Sequence, residues 1–148
     1  MVCVDASLVV AWLLPEDLSE KALTLRRRLQ ASGESLIAPS FLLAEVPAVL
    51  RRNVFLRRID AAQGDGAFEL FKLFPIEIHN LEPLIDTAWE LGKQLNAVRT
   101  YDMLYLALAQ REDCDLWTVD RRFVRLVGNA SALVRWVGDE AHDDDQPT

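Results

Sequence analysis

Four acidic residues of this chain stand in surroundings where acids are rare. Asp5 separates the apolar Val2, Cys3 and Val4 from seven further apolar residues, Leu8 through Leu14. Glu45 sits inside SFLLAEVPAVL, one helical turn from Phe41, Leu42 and Val49. Asp102, in TYDMLYLALA, is the only charged residue between positions 100 and 109. Its neighbours at three and four residues' spacing are Tyr105 and Leu106. Asp120 follows LWTV. Taken singly, Asp5 or Asp120 is an ordinary helix cap, and Asp102 is a favourable charge in a first helical turn. Those roles do not account for four such acids together. Carboxylates gathered in one partly buried site repel each other unless they are protonated or share a cation. Oxygen ligands with no Cys or His nearby select a hard ion, so the set points to Mg2+ or Mn2+.

The acids can meet only if the chain folds to bring them together. Short apolar runs at Val2–Val4, Leu36–Ala38, Ile76–Ile78, Leu116–Val119 and Val134–Val137 read as five strands. The spacing between them predicts a short first helix capped by Ser7 and ended near Pro15, then one over Leu18–Ala31. Others are expected near Ser40–Arg58, from Asp60 to Phe74, from Pro83 to about Leu95, and from a Thr100 cap to about Arg111. Strands alternating with helices argue for an α/β fold with a mostly parallel sheet buried on both faces. Ligands in such sheets bind at the carboxyl ends of the strands, where Asp5 and Asp120 fall. Pro47 leaves two readings of the helix that carries Glu45. It kinks a helix begun at Ser40, or it opens a new helix as its first residue.

Composition sets the outer limits. A chain of 148 residues, 51% apolar, suits one domain with a sizeable core. No apolar run approaches the roughly 20 residues of a membrane span. The N-terminal run has no basic flank and contains Asp5, unlike a signal peptide, so the chain reads as cytoplasmic. Cys3 and Cys114 have the spacing of neither a zinc site nor a disulfide framework. The net charge of −7 argues against nucleic acid only until its distribution is considered. Asp139, Glu140, Asp143, Asp144 and Asp145 carry five of those charges, leaving −2 on residues 1–138. Residues 139–148 are therefore expected to form an acidic, disordered tail. Thirteen of the sixteen basic residues are Arg, clustered at Arg26–Arg28, Arg51–Arg52, Arg57–Arg58 and Arg121–Arg122 with Arg125. Such clusters suit phosphate, whose oxygens match the guanidinium fork, or they are solvated helix faces paired with nearby acids.

VDAS at 4–7, AEV at 44–46, YDMLYLALA at 101–109 and TVDRRF at 118–123 together resemble PIN-domain ribonucleases. The nearest likeness is to the VapC-type toxins of toxin–antitoxin pairs, from residue 1 to about 137. The resemblance implies a three-layer α/β/α fold around a five-stranded parallel sheet. It makes Asp5, Glu45, Asp102 and Asp120 the acidic, metal-holding quartet, with Ser7 and Thr118 as supporting hydroxyls. It also implies Mg2+ or Mn2+, an RNA substrate cut to 5′-phosphate and 3′-hydroxyl ends, a homodimer and a small antitoxin partner. Ala48 departs from the pattern, since many relatives carry Asn there. A cleavage route through the 2′-hydroxyl normally needs paired histidines. This chain has only His79 and His142, which are not expected to meet.

Three other readings stay open. An RNA-processing PIN nuclease outside any toxin–antitoxin pair has the same residues. A haloacid-dehalogenase-type phosphohydrolase also places Asp after a strand, but its second Asp is replaced here by Ser7. A non-catalytic interaction domain has no need of four acids. Finally, Phe68, Leu70, Phe71, Leu73 and Phe74 cover more than one helix face, and Trp12–Leu14 is similarly broad for a short helix. Part of each surface is expected to remain exposed. With the resemblance, this predicts dimer contacts around residues 60–95 and an antitoxin segment against the first helices, where a cation of the partner competes at the carboxylates.

Overall fold

A computed structural model describes residues 1–140, so the expected tail beyond Glu140 lies outside the described residues. The strands are β1 (Val2–Val4), β2 (Leu36–Pro39), β3 (Ile76–His79), β4 (Leu116–Thr118) and β5 (Val134–Trp136). They form one sheet in the order β3-β2-β1-β4-β5, with every neighbouring pair parallel. The central strand is wholly apolar and buried, with Cys3 aligned with Ile37 on one side and Leu116 on the other. A strand buried on both faces requires such a continuous apolar run.

The helices are α1 (Ala6–Leu13), α2 (Ser19–Ala31), α3 (Leu42–Phe55), α4 (Ala61–Lys72), α5 (Ile85–Gln94), α6 (Tyr101–Glu112) and α7 (Arg121–Val127). From β1 to β3 the chain steps outward on one side of the centre, and from β3 to β5 it crosses and steps outward on the other. Right-handed crossovers then put α1–α4 on one face and α5–α7 on the opposite face. The packing agrees: α1 contacts α2, α3 and α4, whereas α6 contacts α5 and lies on β1 and β2. This is the expected three-layer α/β/α fold. Met103 through Ala109 are seven consecutive buried residues, as a helix apolar on all sides requires.

Several local expectations need correction. Asp5, not Ser7, caps α1. Thr100 occupies the cap position of α6, but its side chain makes no capping bond. Of the two readings of Pro47, the restart is excluded: α3 begins at Leu42, two residues from Ser40, and continues through Pro47. The lost donor leaves the Leu43 carbonyl without its helical partner, and Leu43 lies on an exposed turn where water can serve it. α7 was not expected, because seven residues are too few to display a helical period. The α1 face is also different. Trp12 and Leu14 are buried, and the Trp12 indole N–H donates to the Ala22 carbonyl at 2.8 Å. Enclosure by α2, α3 and α4 accounts for that breadth. On α4, Phe71 is buried while Phe68, Leu70 and Leu73 are exposed, as expected.

The fold continues past residue 138. Val137–Asp139 forms a 3₁₀ turn, and Lys21 Nζ donates to the Gly138 carbonyl at 2.7 Å. Arg28 donates two hydrogen bonds to the Glu140 carboxylate, at 2.8 and 2.9 Å. The first two acids of the expected tail are thus part of the packed body.

Candidate active site

Connections from β1 run to one side of the sheet and the connection from β4 runs to the other. The chain parts between these two strands, so their carboxyl ends border an open crevice, the usual ligand position in an α/β sheet. Asp5 lies just beyond β1 and Asp120 just beyond β4. Glu45 and Asp102 arrive in the first turns of α3 and α6. Since strands run toward this edge and the helices run back from it, the first turns begin here.

Asp5 is 6% exposed. Its Oδ1 accepts the Leu8 backbone N–H at 2.9 Å and the Ser7 hydroxyl at 2.7 Å. The Ser7 hydroxyl also lies 3.1 Å from that of Thr118 and accepts the Val119 N–H at 3.2 Å. Thr118 Oγ1 accepts the Asp120 N–H at 3.0 Å. Both predicted hydroxyls therefore tie the ends of β1 and β4 together beneath the carboxylates. Burial pushes the Asp5 carboxyl up to about 7, against the hydrogen bonds from Thr118, Leu8 and Ser7, and the charge of Asp102 adds to the rise.

Glu45 is half-buried and its Oε1 accepts the Tyr105 hydroxyl at 2.7 Å. Burial raises its pKa, the Tyr105 bond opposes this, and the charge of Asp102 raises it further. Asp102 is itself raised by burial and by the charge of Asp120, while Arg99 acts the other way. Neither Asp102 oxygen accepts a hydrogen bond among the described residues. Asp120 caps α7, its Oδ1 accepting the backbone N–H groups of Arg122 at 2.9 Å and Phe123 at 3.3 Å. Asp102 is the common member of these electrostatic contacts: it perturbs Asp5 and Glu45 and is perturbed by Asp120. Among the described residues, no Lys or Arg forms an ion pair with any of the four.

The same arrangement limits how a metal could be held. Among the described residues, no three His, Cys, Asp or Glu side chains converge tightly enough to form a ready ligand set. Mg2+ does not require one, because it keeps several waters and binds through one or two carboxylates with substrate phosphate completing its shell. Unpaired, partly buried carboxylates with raised pKa values fit such a hydrated ion. Tyr105 is the residue that sequence reasoning missed. Its place one turn from Asp102 was visible, but it counted there only as an apolar neighbour.

The profile described as PIN domain matches residues 2–129. Ribonuclease VapC9 of Mycobacterium tuberculosis is 30% identical over 122 residues, covering 82% of this chain and 87% of that protein. Ribonuclease VapC1 of the same organism is 36% identical over 129 residues, covering 84% and 90%. Among solved structures, M. tuberculosis VapC20, described as a sarcin-ricin loop cleaving toxin, superposes with a TM-score of 0.63 at 18% identity. That match covers 84% of this chain and 94% of VapC20. A toxin-antitoxin complex from Klebsiella pneumoniae gives 0.65 at 13% identity, over 93% of this chain and 98% of that one. The two structures share the fold. The family match over residues 2–129 and the sequence relatives establish that the chain belongs to the PIN-domain family, among the VapC ribonucleases.

Proposed function

We propose that this chain is a Mg2+- or Mn2+-dependent endoribonuclease, the toxin of a toxin–antitoxin pair, leaving 5′-phosphate and 3′-hydroxyl ends. The observation that carries this reading is the gathering of Asp5, Glu45 and Asp102, all raised by burial and, among the described residues, in no ion pair with Lys or Arg. A bound divalent ion supplies charge that acidifies water and stabilises the phosphoryl oxygens. Asp5 and Asp102 would hold the ion directly, Asp5 being fixed by Ser7 and Leu8. Glu45 has one oxygen committed to Tyr105 and the other available to orient the attacking water and receive its proton. Asp120 would complete the site through water or a second ion. Thr118 keeps the end of β4 against Ser7, so that Asp120 and Asp5 stay opposed.

The 2′-hydroxyl route finds no support. His79 ends the edge strand β3, two strands from β1, and His142 lies outside the described residues. Membership of the PIN family supports the nuclease reading over a phosphoaspartate mechanism. Among the described residues no helix is long and apolar enough to cross a membrane, and we place the protein in the cytoplasm.

Incubation with RNA, with and without Mg2+ or Mn2+, followed by analysis of the fragment ends, tests the proposal. Metal-dependent cleavage to ligatable 5′-phosphate ends is expected. Fragments ending in 2′,3′-cyclic phosphate, or undiminished cleavage in excess chelator, would overturn it.

A further inference from the structure

An acidic site repels the polyanion it is meant to cut, so the substrate strand needs a fixed cation close by. Most of the arginines whose contacts are seen are already engaged. Arg28 pairs with Glu140, Arg111 with Glu112 and Arg135 with Asp115. Arg26, stacked on Phe74 at 4.4 Å, and Arg121 are held differently, by aromatic rings, and of the two only Arg121 adjoins a site acid in sequence. The Arg121 guanidinium lies 4.0 Å from the centroid of the Trp136 ring. It is exposed and, among the described residues, has no carboxylate partner. The ring is fixed in turn by close approach to Gly138, where a Cβ would come within 2.2–2.4 Å of three ring atoms. The Trp136 indole N–H is buried with no hydrogen-bond partner among the described residues. Packing, rather than a polar contact, therefore sets the position of the ring.

The choice of partner matters chemically. A carboxylate beside Arg121 would fix the side chain but cancel its charge and occupy its donors. An aromatic face restrains the guanidinium and leaves the charge and the in-plane N–H groups free. The stack also stands on the strand ends that carry the acids. Arg121 directly follows Asp120, and Trp136 is aligned with Thr118 across β4 and β5. Thr118 in turn meets Ser7, which holds Asp5.

We infer that Arg121, immobilised on a Trp136 ring that is itself packed on Gly138, binds a phosphodiester of the RNA strand beside the bond to be cut. This rests on the proposed ribonuclease function and adds a residue that contacts the substrate. The test uses a short, labelled single-stranded RNA of mixed sequence and the cleavage-deficient Asp102→Asn protein. Binding is followed by fluorescence anisotropy across a series of salt concentrations. In that background Arg121→Gln should weaken binding about tenfold and reduce the slope of log affinity against log salt by about 0.7, the value for one lost phosphate contact on a single strand. Trp136→Leu should weaken binding less and leave the slope unchanged, because the charge remains. Trp136→Phe, which keeps a ring, should recover most of the loss and guards against misfolding of the Leu variant. Arg125→Gln, on the same helix, should change neither quantity. In the active protein, Arg121→Gln should raise KM far more than it lowers kcat. Affinity and slope equal to the parent, or an equal loss in Arg125→Gln, would overturn the assignment. Failure of the parent itself to bind or cut RNA would instead overturn the ribonuclease reading.

Discussion

Asp5 serves as both a helix cap and a site carboxylate, and substitutions can separate the two roles. Asparagine keeps an Oδ1 that accepts from Leu8 and Ser7, whereas alanine removes the cap. Asp5→Asn should abolish cleavage yet leave the metal-free protein as stable as the parent, or about 1 kcal/mol more so, by relieving like-charge repulsion. Asp5→Ala should lose activity and also about 1 kcal/mol of stability. Thermal melts in chelator compare them, and an Asn variant melting well below the parent would make Asp5 purely structural. The raised Asp5 pKa gives a pH signature. Its carboxyl stands at about 7 in the fold against 3.8 for the free group, so the folded state binds the proton more tightly. Metal-free protein should therefore gain stability as pH falls from about 7 toward 4, and lose it on the way back. Melts in chelator at pH 5 and pH 8 read this directly, and equal values would contradict it. Tyr105→Phe tests Glu45. Because the Tyr105 bond lowers the Glu45 pKa, removing it should move the acid limb of the pH–rate profile upward. A hydrogen bond to a charged group is worth roughly 1.5–3 kcal/mol, so cleavage should fall about 10- to 100-fold. An unshifted acid limb would show that Tyr105 does not tune Glu45. At this scale the acids were legible because apolar neighbours made their charge conspicuous. Tyr105 was not, because the same neighbours made its ring look sufficient and hid its hydroxyl.

Helices and strands were legible where the pattern was long or strongly apolar. The five strands all appear within a residue or two of the runs that predicted them, because a sheet covered on both faces leaves little room for polar positions. α7 escaped notice for want of length. Pro47 left two readings open because a local breaker was weighed without the packing around α3, which continues through it. The glycines of α4 separate propensity from packing in the same way. A Cβ on Gly64 would lie 2.5 Å from Val54 Cγ2 on α3, while one on Gly66 would meet nothing within 4 Å. Alanine gains about 1 kcal/mol over glycine in a helix, but overpacking costs roughly 1–3 kcal/mol where the neighbour is stiff, as Val is. Gly66→Ala should therefore stabilise the protein and Gly64→Ala should destabilise it, which urea midpoints can compare. Stabilisation by both would mean that α3 and α4 do not cross as closely as described.

At the scale of the whole molecule, large apolar side chains stay exposed on the segments that precede and follow the edge strand β3 in the chain. Leu73 is 78% exposed, Trp89 61% and Ile85 52%. Patches of this kind mark association surfaces. Light scattering at micromolar concentration should give a dimer, and Leu73→Glu or Trp89→Glu should yield folded monomers; a strictly monomeric parent would remove the prediction. The product of an adjacent small gene should co-purify and inhibit cleavage, and a chain without such a partner would be better read as an RNA-processing nuclease. The Ser7–Thr118 contact has a further consequence, because it joins residues 111 apart in sequence. β1 has no neighbour on its β4 side until Leu116–Thr118 has been made. Asp5, Glu45 and Asp102 thus leave the ribosome well before the strand that aligns them. Chains ended before Leu116 should be inert toward RNA and chains ended at Glu140 active, a comparison open to in vitro translation. The order of synthesis then acts as a timer: nothing can be cut until β4 has followed the acids out and closed the sheet.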